Sequence, residues 1–262
     1  MLKKLPVALT IAGSDSGGGA GIQADLKTFS ALAVHGASVI ACLTAQNPAR
    51  VLAVEPVSPK MLLRQLQAIF QEIPPSAIKT GMLYSIENIR TVADFLKGKE
   101  VPLVVDPVMV STSGAMLLRP GALKCLKEKL LPLAALVTPN LAEAEILGSC
   151  KISSVEDMDG AARKIHSRFG CAVLLKGGHL PGAHRATDIF YDGKTALVLK
   201  APLIKRVRTH GTGCVYSAAI CASLAMGQDL RQSVQSGKRF ITRAIQNSYR
   251  IGKHFALGTL KR

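Results

Sequence analysis

Short apolar runs alternate along the chain with longer segments whose apolar residues recur at helical spacing. The short runs predict buried strands at residues 7–12, 38–43, 77–80, 101–105, 135–138 and 172–175. The longer segments predict a helix after residue 21 and helices at residues 59–71, 85–96, 120–131, 155–169, 214–227 and 230–255. Residues 187–199 predict a strand pair around Asp192-Gly193. This alternation predicts one α/β domain over residues 1–262, with a mostly parallel central sheet flanked by helices on both faces.

Composition narrows the class of protein. Hydrophobic residues make up 48% of the chain, enough for a large core, and no apolar run reaches the length of a membrane span. The N-terminal apolar run is short and leads directly into a polar glycine loop, so we interpret it as a strand and not as a targeting signal. The six cysteines are scattered without metal-ligand spacing. They indicate a reducing compartment, and we expect a cytoplasmic protein without a membrane partner.

The net charge of +16 is high for an enzyme of this length. Aromatic residues make up only 4% of the chain and tryptophan is absent, so we expect no nucleic-acid partner. A basic surface that favours anionic ligands explains the charge better. The last predicted helix carries basic residues that we interpret mainly as a solvated face: Lys238, Arg239, Arg243, Arg250 and Lys253.

The motif His210-Gly211-Thr212-Gly213-Cys214 comes directly before a helix of small and apolar residues. Two glycines permit a tight turn whose N–H groups point to one side, and the positive end of the helix dipole lies on that turn. Such a turn suits a phosphoryl group in transit. The dipole is expected to lower the pKa of Cys214, which makes this residue a candidate base. The alternative is a glycine-rich entrance needed for packing, with a buried structural cysteine.

A second glycine-rich loop, residues 13–21, follows the first predicted strand. It lacks the lysine of a P-loop and the glycine spacing of a dinucleotide fold, so we expect its backbone to approach a small substrate closely. Asp15 or Asp25 would reach that substrate, although Asp15 can equally serve as a turn or cap residue. Gln46 carries a donor and an acceptor that match the ring nitrogen and amino group of a heteroaromatic base. Its alternative role is a solvated loop residue.

Three further predicted strands lead into polar residues. Asp106 follows an apolar strand and would serve magnesium or phosphate chemistry, or cap the strand end. Asn140 and Glu143 share one face at a helix start, where they can supply oxygen ligands to Mg²⁺ or form a helix cap. Lys176 precedes paired glycines, where it would contact a phosphate or lie in solvent before a turn.

The motifs GSDSGGGAG, TAQN, DPVM, TPNLAEAE, KGGH and THGTGC, in this order, resemble those of the hydroxymethylpyrimidine/phosphomethylpyrimidine kinases of thiamine biosynthesis. These enzymes belong to the ribokinase-like superfamily, and the resemblance covers the chain from about residue 7 to residue 227. It implies a ribokinase-like fold and the use of ATP and Mg²⁺. The implied reaction phosphorylates the small molecule hydroxymethylpyrimidine to its monophosphate and then to the diphosphate. A homodimer is implied as well.

The resemblance also implies roles for individual residues. The pyrimidine pocket would be lined by Gly13, Ala20, Asp25, Gln46, Met82 and Val108. Gly211, Thr212 and Gly213 would form the anion hole for the transferred phosphoryl group, and Cys214 would accept the proton of the substrate hydroxyl. Asp106 and Glu143 would organise Mg²⁺ and the phosphates. Lys176, with Asp106, would serve the ATP phosphates.

The sequence departs from the family pattern at three positions. Thr112 and Ala115 stand where many relatives carry a lysine and an acidic residue, which we expect to weaken the second phosphorylation more than the first. Tyr216 is bulkier than the residue usual after the turn. Two alternative functions are a pyridoxal kinase of the same superfamily and a non-catalytic pyrimidine-binding protein. Gln46, and Cys214 in place of a catalytic aspartate, favour the pyrimidine kinase.

Overall fold

The computed structural model describes residues 5–109, 117–178, 180, 186–202, 204 and 210–259. The strands are β1 (Val7–Asp15), β2 (His35–Asn47), β3 (Arg50–Pro56), β4 (Ala77–Thr80), β5 (Leu103–Val105), β6 (Leu136–Val137), β7 (Ala172–Lys176), β8 (Thr187–Tyr191), β9 (Ala196–Lys200), β10 (Tyr249–Ile251) and β11 (His254–Ala256). The helices are α1 (Gly21–Ala31), α2 (Pro59–Glu72), α3 (Ile86–Leu96), α4 (Ala122–Cys125), α5 (Leu141–Gly148), α6 (Val155–Phe169), α7 (Thr212–Ala225) and α8 (Leu230–Gln246). A π-helical turn (Leu126–Leu130) and a 3₁₀ turn (Leu131–Leu133) continue α4.

The described residues form a nine-stranded sheet in the order β3-β2-β1-β4-β5-β6-β7-β8-β9. The strands from β2 to β7 in this order run parallel. β3 pairs antiparallel at one edge, and β8 and β9 do so at the other. The mostly parallel sheet predicted from the alternation of strands and helices is therefore confirmed.

Helices cover both faces of this sheet because alternate residues of each buried strand point to opposite sides. On β1, Leu9 packs in the core beneath α2, α3, α5 and α6, whereas Ala8 packs in the core beneath α1, α7 and α8. Both side chains are fully buried. The strands consequently consist of nearly continuous apolar residues, which is the pattern typical of a parallel sheet with two covered faces.

The small residues of α7 follow from its place between the sheet and α8. Almost all of its residues after the first turn are buried. α8 comes close at Gly237, where a Cβ atom would press on Ile220 and on the ring of Tyr216. Small side chains on α7 and a glycine on α8 therefore allow the two helices to pack closely above the sheet.

Two boundaries differ from the predicted ones in ways that matter for the site. β2 continues to Asn47 and pairs with β3, so Gln46 belongs to a strand and not to a solvated loop. The predicted last helix is too long, because α8 ends at Gln246 and the chain then forms the β10–β11 hairpin. Gly252, with φ +53°, supplies the left-handed residue that this hairpin turn needs.

The interpretation of Lys238 as part of a solvated face is wrong. Its ammonium group lies 2.7 Å from Asp188 Oδ2 and also donates to the carbonyl oxygen of Ala186, with only 13% of the side chain exposed. Lys238 therefore attaches α8 to the start of β8. Among the described helices, none combines the length and the apolar character that crossing a membrane requires.

Candidate active site

Polar residues gather at the edge of the sheet where the parallel strands end. β5 leads into Asp106, β6 into Asn140, and β7 ends at Lys176. β1 lies between β2 and β4, and the strand order runs outward from it in two directions: to β2 and β3 on one side, and to β4 and the later strands on the other. Open α/β sheets bind ligands at the carboxyl ends of the strands beside such a switch point. The fold therefore directs attention to this edge.

The turn before α7 requires glycine for steric reasons. Gly211 has φ +82°, and a Cβ atom there would overlap the carbonyl oxygen of Gly19 in the first glycine loop. Val215 N–H makes the first backbone hydrogen bond of α7, to the Gly211 carbonyl at 3.0 Å. The amide groups of residues 212–214 consequently lie at the positive end of the helix. This geometry supports the anion-binding role predicted for Gly211, Thr212 and Gly213.

Lys176 and Asp106 form a buried ion pair beside this turn. Lys176 Nζ lies 3.1 Å from Asp106 Oδ1, and Ser217 Oγ donates to Asp106 Oδ2 at 3.1 Å. A Cβ atom on Gly213 would come within 3.2 Å of Lys176 Nζ, so the ammonium group adjoins the turn. Burial raises the pKa of Asp106, but Lys176 and Lys79 hold that pKa below its ordinary value. An anion bound at the turn would therefore lie beside a fixed cation.

The expectation of a lowered pKa for Cys214 is wrong. The thiol lies in the first turn of α7. Desolvation by burial raises its pKa to about 11, Lys79 lowers it only in part, and Asp25 and Asp106 raise it. Burial and the nearby carboxylates keep this pKa high, so the protonated thiol dominates at neutral pH.

Asp25 lies in a buried ion pair beneath the site. Lys79 Nζ and Thr10 Oγ1 donate to its Oδ2 atom at 2.7 and 2.6 Å, and neither charged side chain is exposed. Its Oδ1 atom has no hydrogen-bond partner among the described residues. Burial raises the pKa of Asp25 despite the nearby ammonium group. This placement does not match the expectation of a carboxylate lining an open pocket, because the carboxylate meets Lys79 on the sheet.

Asp15 shapes the first glycine loop. Its carboxylate accepts hydrogen bonds from the backbone N–H groups of Gly17, Gly19 and Ala20 at 2.8, 3.1 and 2.8 Å. Burial raises the pKa of Asp15, whereas the hydrogen bonds from the backbone N–H groups of Gly17 and Ala20 lower it. These contacts agree with the alternative role of Asp15 as a turn residue. Asp15 thereby fixes the loop that adjoins Gly211.

Gln46 faces the motif that precedes α7. Its Nε2 atom lies 2.9 Å from Nε2 of His210, and the same imidazole nitrogen lies 3.3 Å from Asp15 Oδ2. The predicted reader of the pyrimidine edge is therefore in contact with the residue directly before the predicted anion hole.

A small apolar cluster lies beside the first loop. Cys42, Met82 and Leu117 are buried in it, and Val108 packs against them. A Cβ atom on Gly13 would come within 2.8 Å of Cys42 Sγ and 3.7 Å of Met82 Sδ. The structure thus brings together three residues predicted to line the pyrimidine pocket, namely Gly13, Met82 and Val108.

Two residues beside this cluster have left-handed backbone conformations. Val108 has φ +44° and Tyr84 has φ +71°. A positive φ strains a β-branched residue, and such strain concentrates at functional sites. Ala20, another residue predicted to line the pocket, is buried at the start of α1 next to Gly211.

Asn140 and Glu143 form a capping box at the start of α5. Glu143 N–H donates to Asn140 Oδ1 at 3.0 Å, and Asn140 N–H donates to Glu143 Oε2 at 2.9 Å. The other oxygen of Glu143 accepts a hydrogen bond from Met109 N–H at 3.1 Å. Burial raises the pKa of Glu143. It also lowers the pKa of Lys176, but Asp106 and Glu143 raise that pKa above its ordinary value.

Mg²⁺ can be tested against this donor set. Within the part of the chain that the structure describes, no group of three or more His, Cys, Asp or Glu residues is placed to hold a metal ion. Asp106 and Glu143 already accept hydrogen bonds from the protein. Mg²⁺ commonly keeps several waters and uses one or two carboxylates together with substrate phosphates. The two carboxylates fit that mode of binding and not a metal cage made by the protein alone.

The sequence patterns do not assign roles to Lys79, His210 and Ser217, although all three contact predicted site residues. A signal for Lys79 exists, because a lysine inside a short buried strand requires a buried partner. The only sequence signal for His210 is its position directly before the predicted anion-binding turn. The departures at Thr112 and Ala115, and His179 of the KGGH motif, lie outside the described residues.

The sheet order, the helices on both faces and the glycine turn before α7 define a chain of the ribokinase-like class. The phosphomethylpyrimidine kinase family matches residues 15–258. The chain belongs to this family. The hydroxymethylpyrimidine/phosphomethylpyrimidine kinase of Rhizobium meliloti (strain 1021) is 51% identical over 246 residues, which cover 94% of this chain and 92% of that protein.

Two solved structures are closely similar to this chain. The phosphomethylpyrimidine kinase of Clostridium difficile 630 superposes with a TM-score of 0.82 and 45% identity, over 92% of this chain and 100% of the other. A Bacillus subtilis pyridoxal kinase, solved as an ADP complex, superposes with a TM-score of 0.89 and 40% identity, over 97% of each chain. Both confirm the ribokinase-like fold.

Proposed function

We propose that the chain is an ATP-dependent kinase that phosphorylates 4-amino-5-hydroxymethyl-2-methylpyrimidine to its monophosphate and then to the diphosphate. One observation carries this proposal beyond family membership. The turn at Gly211, with Cys214 directly after it, lies in contact with Gln46 through His210. A phosphoryl group at the turn and a heteroaromatic base at Gln46 would therefore be neighbours, as transfer to a hydroxymethyl group on that base requires.

The residues of the chain have separate tasks in this reaction. The amide groups of residues 212–214 would stabilise the charge on the phosphoryl oxygens, and the adjacent ammonium group of Lys176 would contact the phosphates of ATP. The substrate hydroxyl oxygen forms the new bond to phosphorus while the bond to the ADP oxygen breaks. Asp106 keeps Lys176 charged and in place. This transfer depends on positioning and charge stabilisation more than on covalent chemistry by the protein.

Mg²⁺ would be held by Asp106 and Glu143 through water, and when bound it neutralises charge on the phosphate oxygens. The apolar cluster around Met82 and Val108 would cover one face of the pyrimidine. Gln46 would recognise the edge that carries the ring nitrogen and the amino group. Asp25 supports the floor of the site through its ion pair with Lys79.

The proposed proton transfer to Cys214 has a kinetic signature. If Cys214 is the base, it must accept the hydroxyl proton as a thiolate. With a pKa of about 11, the thiolate form of Cys214 is scarce at neutral pH. A base role therefore makes kcat rise about tenfold per pH unit between pH 6 and 9. A flat profile would instead assign Cys214 to hydrogen bonding with the substrate hydroxyl.

The experiment measures ATP consumption with Mg²⁺ and three substrates: the hydroxymethylpyrimidine, its monophosphate and pyridoxal. Cys214→Ala is compared with the wild type, and Cys150→Ala, outside the site, is the matched control. Turnover of both pyrimidines that falls by about 10²-fold or more only in Cys214→Ala supports the function and the role of the thiol. Turnover that survives this change keeps the kinase and removes Cys214 as a base.

Pyridoxal phosphorylation is the second candidate, because the Bacillus subtilis pyridoxal kinase shares 40% identity over almost the whole chain. A preference for pyridoxal in this assay would replace the pyrimidine function. Tight pyrimidine binding without turnover would identify a binding protein. We also propose a cytoplasmic homodimer, which rests on the resemblance to the family, and light scattering during gel filtration tests the dimer.

A further inference from the structure

His210 lies at a junction of three segments. Its imidazole has only 16% of its side-chain surface exposed, and Nε2 contacts Gln46 Nε2 at 2.9 Å and Asp15 Oδ2 at 3.3 Å. A Cβ atom on Gly19 would come within 3.1 Å of its ring, so the imidazole packs directly on the first loop. The next residue, Gly211, begins the anion-binding turn. His210 thus joins the first loop, the end of β2 and this turn.

The backbone around Gln46 is fixed independently of His210. Ser16 Oγ donates to the carbonyl oxygen of Gln46 at 2.7 Å and accepts from its backbone N–H at 2.9 Å. Asp15 likewise holds the first loop through three backbone N–H groups. The side-chain amide is therefore the part of Gln46 that His210 can control.

The chemistry of the contact allows only one amide orientation for each state of the imidazole nitrogen. When Nε2 carries no proton, it accepts one N–H of the Gln46 amide. The second N–H of the amide then remains for a ligand. So does the carbonyl oxygen, because its contact with Thr44 Oγ1 is long, at 3.5 Å, and that hydroxyl donates to the Ser14 carbonyl oxygen at 2.9 Å. When Nε2 is protonated, the amide must turn to present its oxygen, and its donor and acceptor exchange places.

The first state suits an aminopyrimidine edge. A ring nitrogen accepts a hydrogen bond and the neighbouring amino group donates one, as in the recognition of adenine by glutamine. After the amide turns, the same edge would meet donor against donor and acceptor against acceptor. The contact between Gln46 and His210, at 2.9 Å, is shorter than the 3.3 Å contact between His210 and Asp15. It directs the amide nitrogen of Gln46, and not the amide oxygen, to the imidazole, which is the arrangement in which Nε2 accepts.

We propose that His210 is a positioning residue that holds the Gln46 amide in the orientation that recognises a 4-aminopyrimidine and rejects its 4-oxo counterpart. The 4-oxo ring carries a proton on the neighbouring ring nitrogen and so presents the reversed order of donor and acceptor. This inference rests on the proposed function, because it names the base edge that Gln46 reads. It assigns the selectivity to the contact between His210 and Gln46 and not to Gln46 alone.

Equilibrium binding without ATP tests the inference. Dissociation constants are measured by calorimetry for 4-amino-5-hydroxymethyl-2-methylpyrimidine and for its 4-oxo counterpart, with wild type, His210→Phe and His210→Asn. Wild type is expected to prefer the 4-amino compound by about tenfold or more. In His210→Phe the amide can turn, so this preference falls about tenfold, while the dissociation constant for ATP measured separately changes less than twofold. His210→Asn, which offers an acceptor oxygen, is expected to recover part of the preference.

A double mutant with Gln46 distinguishes a positioning role of His210 from a general structural role. In a Gln46→Ala background, His210→Phe should leave the residual preference unchanged, because no amide remains to be oriented. His35→Phe, an exposed histidine at the start of β2, is the matched control and should bind like wild type. Thermal unfolding identifies any variant that fails to fold, and His210→Asn then provides the comparison.

An unchanged preference in a folded His210→Phe protein overturns the inference, and so does a wild type that binds both compounds equally. Loss of ATP affinity with the preference retained would also overturn it and assign His210 to the phosphate. The proposed function is decided separately by ATP consumption. Turnover with an unchanged preference would remove the inference alone, and a His210-dependent preference without turnover would remove the kinase alone.

Discussion

The glycines of the turn before α7 act by different physical means. Gly211 is required by its left-handed backbone and by the carbonyl oxygen of Gly19 against it. Gly213 lies inside α7, where its backbone conformation does not require glycine. The absence of a side chain at Gly213 instead leaves space beside Lys176 Nζ and Asp106 Oδ2. A Cβ atom at Gly213 would lie 3.2 and 3.6 Å from these two atoms. The two positions therefore separate backbone strain from crowding of the site.

Gly213→Ala is expected to raise the KM for ATP about tenfold while the protein stays folded. The added methyl group crowds the ammonium group of Lys176 beside the turn, and small displacements in a positioned site reduce the rate strongly. Alanine also favours a helix by about 0.5–1 kcal/mol over glycine, so the fold should not suffer. Steady-state kinetics with varied ATP, together with urea unfolding, measure both effects.

The control for this change is Gly160→Ala in α6, where a Cβ atom would meet nothing within 4 Å. It should add about 0.5–1 kcal/mol to the free energy of unfolding and leave the KM for ATP unchanged. An unaltered KM in Gly213→Ala would show that the phosphates do not approach Lys176 at this turn.

The sequence predicts which elements carry the charged and titratable side chains better than it predicts their pKa values and their partners. The sequence places Cys214 at a helix N-terminus, and the dipole argument alone then gives the wrong direction for its pKa. The opposing effect is burial beside Asp25 and Asp106, which come from α1 and the end of β5 and are distant in the sequence. Asp25 likewise pairs with Lys79, 54 residues further along the chain. Such long-range charge contacts are fixed by the fold and cannot be obtained from local patterns.

Among the elements, α5 links a helix cap to the site. Glu143 completes the cap with Asn140 and also accepts Met109 N–H, which lies directly after the strained Val108. Asn140 in addition forms an isolated parallel bridge with Lys176 at the end of β7. The start of α5 therefore supports both the segment at Val108 and Met109 and the end of β7 at Lys176.

Asn140→Ala is expected to cost about 1 kcal/mol of stability and also to lower kcat/KM about tenfold. The stability loss is that of a missing cap, and the activity loss follows because Glu143 and Lys176 lose part of their support. Ser154→Ala removes the equivalent cap of α6, whose capping box is formed with Asp157. It should cost similar stability without lowering kcat/KM. Equal activity losses in both variants would mean that only stability is involved.

The elements themselves were largely predictable because their signals are local. Apolar runs gave the buried strands, and residues 155–169 and the 187–199 strand pair agree with α6, β8 and β9. β3 has no such signal, since its exposed residues do not alternate with buried ones. The end of α8 was missed because its basic periodicity continues into residues that form the β10–β11 hairpin.

At the scale of the whole molecule, two buried layers enclose several cysteines. Cys171 lies in the core beneath α2, α3, α5 and α6, and Cys221 lies in the core beneath α1, α7 and α8. Burial raises the pKa of Cys42 to about 12 and that of Cys171 to about 11, and it raises the pKa of Cys221 as well. Together with Cys214, these thiols couple the stability of the fold to alkaline pH.

The free energy of unfolding is expected to fall as pH rises from 9. The unfolded chain releases thiol protons near the ordinary pKa of 9.0, whereas the folded protein keeps them to about 11 for Cys171 and Cys214. The folded state then binds more protons than the unfolded state, so each such cysteine lowers stability by up to about 1.4 kcal/mol per pH unit within this window. Urea unfolding between pH 8 and 10, in the presence of a reductant, measures the slope.

Cys171→Ala removes one of these titrating groups and should reduce the slope, averaged over pH 8–10, by about 0.7 kcal/mol per pH unit. Its neighbour Val173, fully buried on β7, offers the control, because Val173→Ala removes core volume without removing a titrating group. Both variants should be less stable than the wild type at pH 7, since each leaves a cavity. Only Cys171→Ala should flatten the pH dependence. If both variants keep the wild-type slope, the alkaline loss of stability does not come from this thiol, and burial has not shifted its pKa in the way the structure indicates.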